Sequence, residues 1–337
     1  MSHTHQHGMV VPAAFRPIPG LAHAHVQTVF PALLRPRPKL LWRMERFELP
    51  DGDFVDVAWH GTGHGPRLIM VHGLGGGLHS KYACGLAQRM GRQGWRVGLL
   101  LLRGAGPDMN RLPRGYHHGD TADFQFVLQQ LHQREPEGPL LAAGWSLGAN
   151  IVLKSLGEEG DRSLLSGAAV ASPPFQLEPC IQRLEQGVSR GYQRYLLRGL
   201  QARLRTKRLT VSWDAPVDIE AALRARCFRD FDEAYTAPVH GFSSAREYYA
   251  LCECSRFLQG IRRPTLIVHA LDDPFMQPDI LPEARHLSAS VRLEFCEQGG
   301  HIGFMGGSWL RPQWWLETRM EKALLAALPV DAVLLAH

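Results

Sequence analysis

Short apolar runs alternate with amphipathic stretches along most of the chain, which predicts strands that are each followed by a helix. The strand-like runs are RLIMVHG, WRVGLLLLRG, LLAAGWS, LLSGAAVASPP, PTLIVHALDD and VRLEFCEQGG. The helix-like stretches between them are KYACGLAQRMGRQG, TADFQFVLQQLHQRE, ANIVLKSLGEEG and ILPEARHLS, and a last one extends from Pro312 to about Leu328. Strands that read as continuous apolar runs are buried on both faces. The pattern therefore indicates an α/β protein with a mostly parallel central sheet covered by helices on both faces.

Two segments depart from this alternation and suggest the domain organisation. Residues 1–45 are rich in proline and histidine and predict a leader that wraps on the core, with a short helix around Val26–Leu34. Residues 174–260 are arginine-rich and mostly helical in pattern, which predicts an inserted helical cap. Residues 46–173 and 261–337 then form the core domain. It opens with an edge hairpin, because Asp51-Gly52 between two strand-like runs is a strong turn signal.

Composition narrows the class of protein. Of 337 residues, 45% are apolar and 20% are charged, as in soluble globular proteins. No window approaches 18 uncharged apolar residues, and the N-terminus lacks the features of a secretory signal. These features predict a cytoplasmic protein.

Metal ligation is not expected from the cysteine and histidine spacing. The six cysteines are scattered, and one residue separates Cys252 from Cys254 where a metal hairpin has two. The tract HTHQH at residues 3–7 has the chemistry to hold a transition metal, but a frayed polar tail explains it better. We therefore predict a protein without a metal or organic cofactor.

The net charge of +5 is concentrated in one segment. Between Ile181 and Arg208, eight basic residues stand against Glu185 alone, a local charge of +7. A solvated helix face is the simplest interpretation, and the alternatives are contact with nucleic acid, with an anionic membrane surface or with an acidic partner. Apolar residues between the arginines form a stripe suited to a membrane interface: Tyr192, Tyr195, Leu196, Leu197 and Leu200.

The sequence GWSLG at Gly144–Gly148 is a Gly-x-Ser-x-Gly nucleophile elbow. It lies between a buried strand and a helix, as the motif requires. The sharp turn holds Ser146 in strained geometry, and side chains at 144 and 148 would collide with neighbouring backbone. Ser146 is therefore the candidate nucleophile.

A serine nucleophile needs a histidine base oriented by a carboxylate. His301 follows the strand VRLEFC in a glycine-rich loop, and Asp273 follows the strand TLIVHA. The chain order Ser146, Asp273, His301 is that of α/β-hydrolases. Asp272 is the competing acid, and we favour Asp273 because its spacing from Ala270 is usual at this turn.

The glycine run HGLGGG at His72–Gly77 follows the first buried parallel strand. There, backbone N–H groups can approach a substrate carbonyl, and the expected oxyanion donors are the amides of Leu74 and Leu147. Phosphate binding is disfavoured, because no Gly-Lys-Ser/Thr ending follows and the Gly-x-Gly-x-x-Gly register fails.

From about Phe15 to Leu328 the chain resembles the YheT-like branch of the α/β-hydrolase superfamily, also called AB hydrolase family four. The motifs that carry the resemblance are HVQTVFPAL, LPDGDFVDVAW, HGLGGG, GWSLGAN, FDEAYTAPVHGF, HALDDPF and GGHIGF. The resemblance implies an α/β-hydrolase fold and carboxylesterase-like or acylglycerol-lipase-like activity, cytosolic in bacteria and membrane-associated in eukaryotic relatives. His118 and Asp123 look like the His-x4-Asp pattern of acyltransferases among some relatives, although helix capping by Asp120 or Thr121 explains this segment more simply.

These observations predict a serine hydrolase that cleaves a short- or medium-chain ester or an acylglycerol through an acyl-enzyme. Two alternatives stay open, an acyltransferase on the same scaffold and a catalytically silent binding protein. The expected partner is a small-molecule ester or lipid, with no nucleic acid. Through its basic cap, the protein is also a candidate for peripheral contact with the inner membrane.

Overall fold

The computed structural model describes residues 7–62, 65–213 and 216–329. Across these residues, nine strands form one sheet in the order β1-β9-β8-β7-β6-β4-β5-β3-β2, and β10 and β11 form a separate hairpin. The strands are β1 (Met9–Pro12), β2 (Arg43–Glu48), β3 (Phe54–His60), β4 (Arg67–Val71), β5 (Arg96–Leu101), β6 (Leu140–Trp145), β7 (Gly167–Ala171), β8 (Thr265–Ala270), β9 (Val291–Cys296), β10 (Met305–Gly307) and β11 (Pro312–Trp314).

In that order, strand pairing is parallel from β1 to β5, and the last two pairs, β5–β3 and β3–β2, are antiparallel. The mostly parallel sheet and the edge hairpin around Asp51-Gly52 are confirmed. Strand β1 was not predicted, because four residues within a proline- and histidine-rich leader give too short a pattern to recognise.

The α-helices of the described chain are α1 (Ala24–Leu34), α2 (Lys81–Arg92), α3 (Thr121–Arg134), α4 (Leu147–Glu159), α5 (Leu177–Leu184), α6 (Ser189–Thr210), α7 (Ile219–Arg224), α8 (Phe228–Phe231), α9 (Ala237–Val239), α10 (Ala245–Cys252) and α11 (Trp315–Ala326). Helices α3 and α4 pack on one face of the sheet, and α2 and α11 pack on the other. Side chains of β4 alternate between the two cores, with Ile69 in one and Met70 in the other. Both faces of the sheet are therefore buried, as the continuous apolar strands predict.

Helices α5–α10, here called the cap helices, lie between β7 and β8 and share a third apolar cluster. The longest of them is α6, which buries Gln193, Leu197, Gln201 and Leu204 at helical spacing. Its opposite face carries the arginines in solvent.

The prediction of a helix over ILPEARHLS, residues 280–288, is wrong. Between β8 and β9 the chain instead makes two single 3₁₀ turns, Pro278–Ile280 and Ala284–His286. Pro282 removes a backbone donor and restricts the residue before it, so the apolar periodicity of this stretch does not produce a helix.

No helix among the described residues combines the length and apolar content needed to cross a bilayer. The HTHQH tract at residues 3–7 falls outside the described residues except for His7, which is exposed.

Candidate active site

The loops that carry the predicted site residues all follow parallel strands. Leu74 comes after β4, Ser146 after β6, Asp273 after β8 and His301 after β9. Parallel strands end at the same edge of a sheet, and ligands of open α/β sheets bind outside the carboxyl ends of the strands. These loops therefore belong to one edge of the molecule.

Ser146 connects β6 directly to α4 with φ 52° and ψ −120°, a conformation that costs a non-glycine residue about 1–3 kcal/mol. The two flanking glycines are required by close backbone contacts. A Cβ at Gly144 would lie 2.5 Å from Gly148 O, and one at Gly148 would lie 2.1 Å from Val71 O. The elbow thus has the strained geometry that exposes a serine hydroxyl above the sheet edge.

His301 and Asp273 form a hydrogen-bonded pair. The Nδ1 atom of His301 lies 2.7 Å from Asp273 Oδ2, and both side chains are buried. The other carboxylate oxygen of Asp273 accepts the backbone N–H of Phe275 at 2.9 Å. An ionised carboxylate accepts the Nδ1 proton, which leaves Nε2 of a neutral imidazole with its lone pair.

Asp272 has a different partner, since its Oδ1 accepts the backbone N–H of Gly300 at 2.9 Å. Burial raises the pKa of the Asp272 carboxyl. Of the two candidate acids, the structure therefore places Asp273 on the imidazole of His301 and Asp272 on the loop that precedes it.

Ser146 and His301 are connected through neighbouring residues. Ser146 donates its backbone N–H to Ala171 O at 3.0 Å, and the next residue, Ser172, accepts the backbone N–H of Ile302 at 3.3 Å. Among the described residues there is no hydrogen bond between Ser146 Oγ and His301. Hydrogen bonds between catalytic groups are often long or poorly aligned without substrate and tighten when substrate binds.

The expected oxyanion donors lie beside Ser146. Leu74, Ser146 and Leu147 all line one cavity. Leu147 is the first residue of α4, where backbone N–H groups have no partner within the helix. The N–H of Leu74 has no acceptor in the described part of the chain. Both amides are thus available to a substrate oxygen.

Three side chains make hydrogen bonds within the glycine loop His72–Gly77, and no sequence pattern predicts a role for any of them. His72 Nδ1 lies 2.8 Å from Gly73 O, and its Nε2 accepts the N–H of Leu102 at 3.4 Å. Burial lowers the pKa of His72 to about 4, so the ring is neutral. The hydroxyl of Tyr82 accepts the N–H of Gly73, and the hydroxyl of Tyr116 accepts the N–H of Gly75. His72 belongs to the HGLGGG motif, whereas no sequence signal identified the tyrosines.

The cavity beside Ser146 has a volume of about 120 Å³. Apolar side chains from α5 and α6 form much of its wall, namely Leu177, Ile181, Leu184, Leu196, Leu200 and Leu204. Phe275 also lines it, and its ring stacks on His301 with a centroid distance of 4.0 Å and an angle of 5°. The cavity therefore joins the elbow, the acid loop and the cap helices.

The structure separates His118 from Asp123, the pair that resembled an acyltransferase pattern. His118 Nδ1 lies 2.8 Å from the Tyr248 hydroxyl, while Asp123 makes two 2.6 Å hydrogen bonds with Arg103. Asp120 is the N-cap residue of α3, but its carboxylate accepts from Arg114 and not from the helix. The expected side-chain cap by Asp120 is therefore wrong.

Folding also brings together three residues that no sequence spacing suggested, His117, Asp120 and His240. Their ligand-capable atoms lie within 4.8 Å of one another. Both ring nitrogens of His240 already face carbonyl oxygens, Thr236 O at 2.7 Å and Gly115 O at 3.0 Å. The imidazole of His240 is thus committed to the backbone that connects the cap helices with the core.

The apolar stripe of the basic segment is mostly packed inside. Leu197 is buried, and Tyr192, Leu196 and Leu200 pack partly buried against the cap cluster, while Tyr195 is 79% exposed. The arginines on the other face are exposed. Three of them, Arg190, Arg194 and Arg198, line one groove together with Arg226, which lies between α7 and α8.

Known proteins resemble this chain in sequence and in structure. The family model of the α/β-hydrolase fold matches residues 66–308. The Escherichia coli (strain K12) protein named "Putative esterase YheT" is 40% identical over 312 residues, which cover 91% of this chain and 92% of that protein.

The Saccharomyces cerevisiae "Medium-chain fatty acid ethyl ester synthase/esterase 2" is 30% identical over 299 residues, 81% of this chain and 63% of that protein. Among solved structures, the Pyrococcus furiosus esterase Pf2001 superposes with a TM-score of 0.57, covering 86% of this chain and 92% of that one. Its sequence identity is only 15%, so the likeness concerns the fold alone.

Proposed function

The chain belongs to the α/β-hydrolase fold family, in its YheT-like branch, and from this membership we propose that it is a serine hydrolase of carboxylic esters. The observation that carries the proposal is the 2.7 Å pair of His301 Nδ1 and Asp273 Oδ2 at the sheet edge where the strained Ser146 turn lies. A base oriented by a carboxylate beside a serine elbow is suited to acyl transfer through a covalent intermediate.

In the proposed cycle, Ser146 Oγ attacks the acyl carbonyl while His301 Nε2 takes the hydroxyl proton. Asp273 holds the imidazole by Nδ1 and stabilises the imidazolium that forms. The tetrahedral oxyanion accepts hydrogen bonds from the amides of Leu74 and Leu147. His301 then gives its proton to the departing alcohol, and water, activated by the same histidine, releases the acid from Ser146.

The cavity supports a short- to medium-chain acyl group as substrate. Its wall beside Ser146 is built from leucines of the cap helices, which favour an alkyl chain over a charged group. An apolar cavity of about 150 Å³ is large enough for a benzene molecule. At about 120 Å³, the cavity beside Ser146 is somewhat smaller, which supports a short acyl chain as its occupant.

A panel of p-nitrophenyl esters and monoacylglycerols of increasing chain length tests both claims. We expect kcat/KM to be highest for short- to medium-chain acyl groups and to fall for longer chains, because the cavity beside Ser146 is small. Ser146→Ala should lower kcat by about 10⁶, since the nucleophile and base act as a unit. More than a few per cent residual activity in a folded Ser146→Ala protein would contradict the nucleophile assignment. A catalytically silent binding protein would leave every ester intact.

Acyl transfer is the second candidate, favoured by one comparison. The yeast relative is named as a synthase as well as an esterase, which is the same acyl-enzyme chemistry with an alcohol in place of water. Turnover of a p-nitrophenyl ester with added ethanol distinguishes the outcomes. An acyltransferase accumulates the ethyl ester, whereas a hydrolase accumulates the free acid.

We also propose that the exposed arginine face of α6 meets anionic lipid surfaces. Arg190, Arg194 and Arg198 recur every fourth residue and so share one side of the helix. Most of the apolar stripe is packed against the cap, so the contact is electrostatic and weakens with salt.

A further inference from the structure

The HVQTVFPAL motif forms helix α1, which lies against the loop of His301 although more than 260 residues separate them in the chain. Nothing in the proposed cycle uses this helix. Three of its contacts with the loop involve side chains that are buried or partly buried, from Gln27, Thr28 and Arg35.

Hydrogen bonds join these side chains to the loop backbone at successive residues. Thr28 Oγ1 accepts the N–H of His301 itself at 3.0 Å. Gln27 accepts the N–H of Met305 at 2.8 Å through Oε1 and donates to Met305 O at 3.2 Å through Nε2. Arg35, the C-cap residue of α1, donates to the carbonyls of Ile302 (3.2 Å) and Gly303 (2.8 Å).

Two of the three glycines of the GGHIGF motif, Gly300 and Gly303, are explained by the close approach of this helix. A Cβ at Gly300 would lie 2.6 Å from both Ala24 O and Thr28 Oγ1, and one at Gly303 would lie 1.7 Å from Gln27 O. Any larger residue at these positions would push the loop away from α1. The two motifs are thus complementary surfaces of one contact.

The loop also holds conformations that it would not adopt alone. Ile302 and Phe304 have positive φ angles of 61° and 46°, which side chains other than glycine rarely adopt. Such residues persist only where the surroundings hold them. Besides α1 and Arg35, two side chains on the core side bind the loop backbone around His301. Asp272 Oδ1 accepts the N–H of Gly300 at 2.9 Å, and Ser172 Oγ accepts the N–H of Ile302 at 3.3 Å.

We propose that α1 positions the catalytic histidine, with Gln27, Thr28 and Arg35 as positioning residues that keep the His301 loop against the sheet edge. This inference rests on the proposed function, because the proposed function is what assigns His301 as the base. The helix touches neither substrate nor the reacting atoms. It acts by fixing the backbone from which the imidazole reaches Asp273 and Ser146.

Thr28→Val is the direct test, because valine keeps the shape of threonine and removes the acceptor of the His301 N–H. We expect kcat for the best p-nitrophenyl ester to fall about tenfold or more, the cost of one buried unpaired donor. The KM should change less than twofold, since α1 does not line the cavity. Thr28→Ser, which keeps the hydroxyl, should restore kcat, and Thr28→Ala serves as a second variant without the acceptor if valine impairs folding.

Thr206→Val on α6 is the matched control. Thr206 also donates its hydroxyl to the carbonyl four residues earlier, as Thr28 does, but no loop donates to it. It should keep wild-type kcat and KM, and melting curves of all four variants should match the wild type within a few degrees.

The positioning role is overturned if the folded Thr28→Val and Thr28→Ala proteins keep wild-type kcat, or if Thr28→Ser is as slow as they are. Labelling of wild-type Ser146 by a fluorophosphonate probe, measured in the same experiment, separates this failure from that of the proposed function. A wild type that is neither labelled nor active overturns the proposed function and the positioning role together.

Discussion

At the residue scale, the adjacent carboxylates Asp272 and Asp273 do different work because the turn after β8 points them at different groups. Asp273 faces the ring of His301, and Asp272 faces the backbone of Gly300. Sequence spacing favoured Asp273 without excluding Asp272, because the direction of two neighbouring side chains in a turn depends on the loop packed against them.

Asp273→Asn should lower kcat by about 10⁴, because an amide at this position favours the wrong imidazole tautomer. Asp272→Asn keeps an oxygen for the Gly300 N–H and should cost less than about tenfold. Steady-state kinetics of both variants on one ester measures the difference. A larger loss in Asp272→Asn would transfer the role of the acid to Asp272.

His269 on β8 gives a prediction for stability as a function of pH. Burial lowers its pKa in the folded state to about 4, against about 6.5 when unfolded. The unfolded chain therefore binds the extra proton first, so the contribution is complete above pH 6.5 and is lost as pH falls toward 4. The loss is about 1.4 kcal/mol per pH unit.

Urea unfolding of wild type and His269→Leu at several pH values between 7 and 4.5 isolates this group. On acidification, the free energy of unfolding should fall less steeply for the variant than for the wild type. Below pH 6, the two slopes should differ by about 1.4 kcal/mol per pH unit. Parallel curves for the two proteins would contradict a neutral buried imidazole.

The site residues that sequence predicted are those whose chemistry or backbone demands one amino acid. Ser146 lies between two glycines that close contacts require, and His301 follows a glycine-rich stretch. The hydrogen bonds of Thr28 and Tyr116 to the site loops could not be predicted, because their partners lie far away in the chain. A threonine in an amphipathic helix carries no local signal of the amide that it will accept.

At the element scale, periodicity predicted the strands and helices of the core, since burial on both faces leaves a continuous apolar run. It did not predict β1, whose four residues complete the sheet beside β9. It also produced a helix over ILPEARHLS that the structure replaces with 3₁₀ turns. Both errors concern short segments in which tertiary pairing or a proline outweighs the apolar pattern.

Helix α6 is fastened to the core by a buried lysine. Lys207 donates to Asn110 Oδ1 at 2.5 Å and to the carbonyls of Leu112 and Arg114 at 2.8 and 2.7 Å. Its side chain is 4% exposed, so these bonds lie out of solvent. Lys207 thereby connects the cap helices to the loop of residues 110–114.

Lys207→Met should lower the free energy of unfolding by about 2 kcal/mol, because it leaves the buried Oδ1 of Asn110 without a donor. The carbonyls of Leu112 and Arg114 lose one donor each but keep that of Asn110 Nδ2. Arg205→Met is the control, since Arg205 lies on the same helix but is exposed, and should change stability by less than about 0.5 kcal/mol. Chemical denaturation measures both variants. Equal effects would show that the lysine contributes no more than a solvated cation.

At the scale of the whole molecule, charge is distributed unevenly over the fold. The core strands and the cap interior are apolar, while the exposed arginines of α6 form a cationic face next to the cavity wall. A cation near an anionic bilayer gains about 1 kcal/mol. In the proposed lipid contact, the three arginines together would contribute about 3 kcal/mol to partitioning.

Sedimentation with phosphatidylglycerol-containing vesicles tests this face. Replacing Arg190, Arg194 and Arg198 with glutamate should lower partitioning about 100-fold or more at low salt. A variant with the same charge change at dispersed exposed arginines, Arg92, Arg162 and Arg256, should lose much less. Equal binding of all three proteins, independent of salt, would reject docking through α6.

The central claim is that Ser146 is a nucleophile activated by His301 and Asp273. Mass spectrometry of the protein after reaction with a fluorophosphonate probe tests it most directly. We predict one adduct per chain, located on Ser146 by peptide mapping, slowed at least 100-fold by His301→Gln and absent in Ser146→Ala. Labelling at another residue, or an adduct that persists in folded Ser146→Ala, would contradict the account.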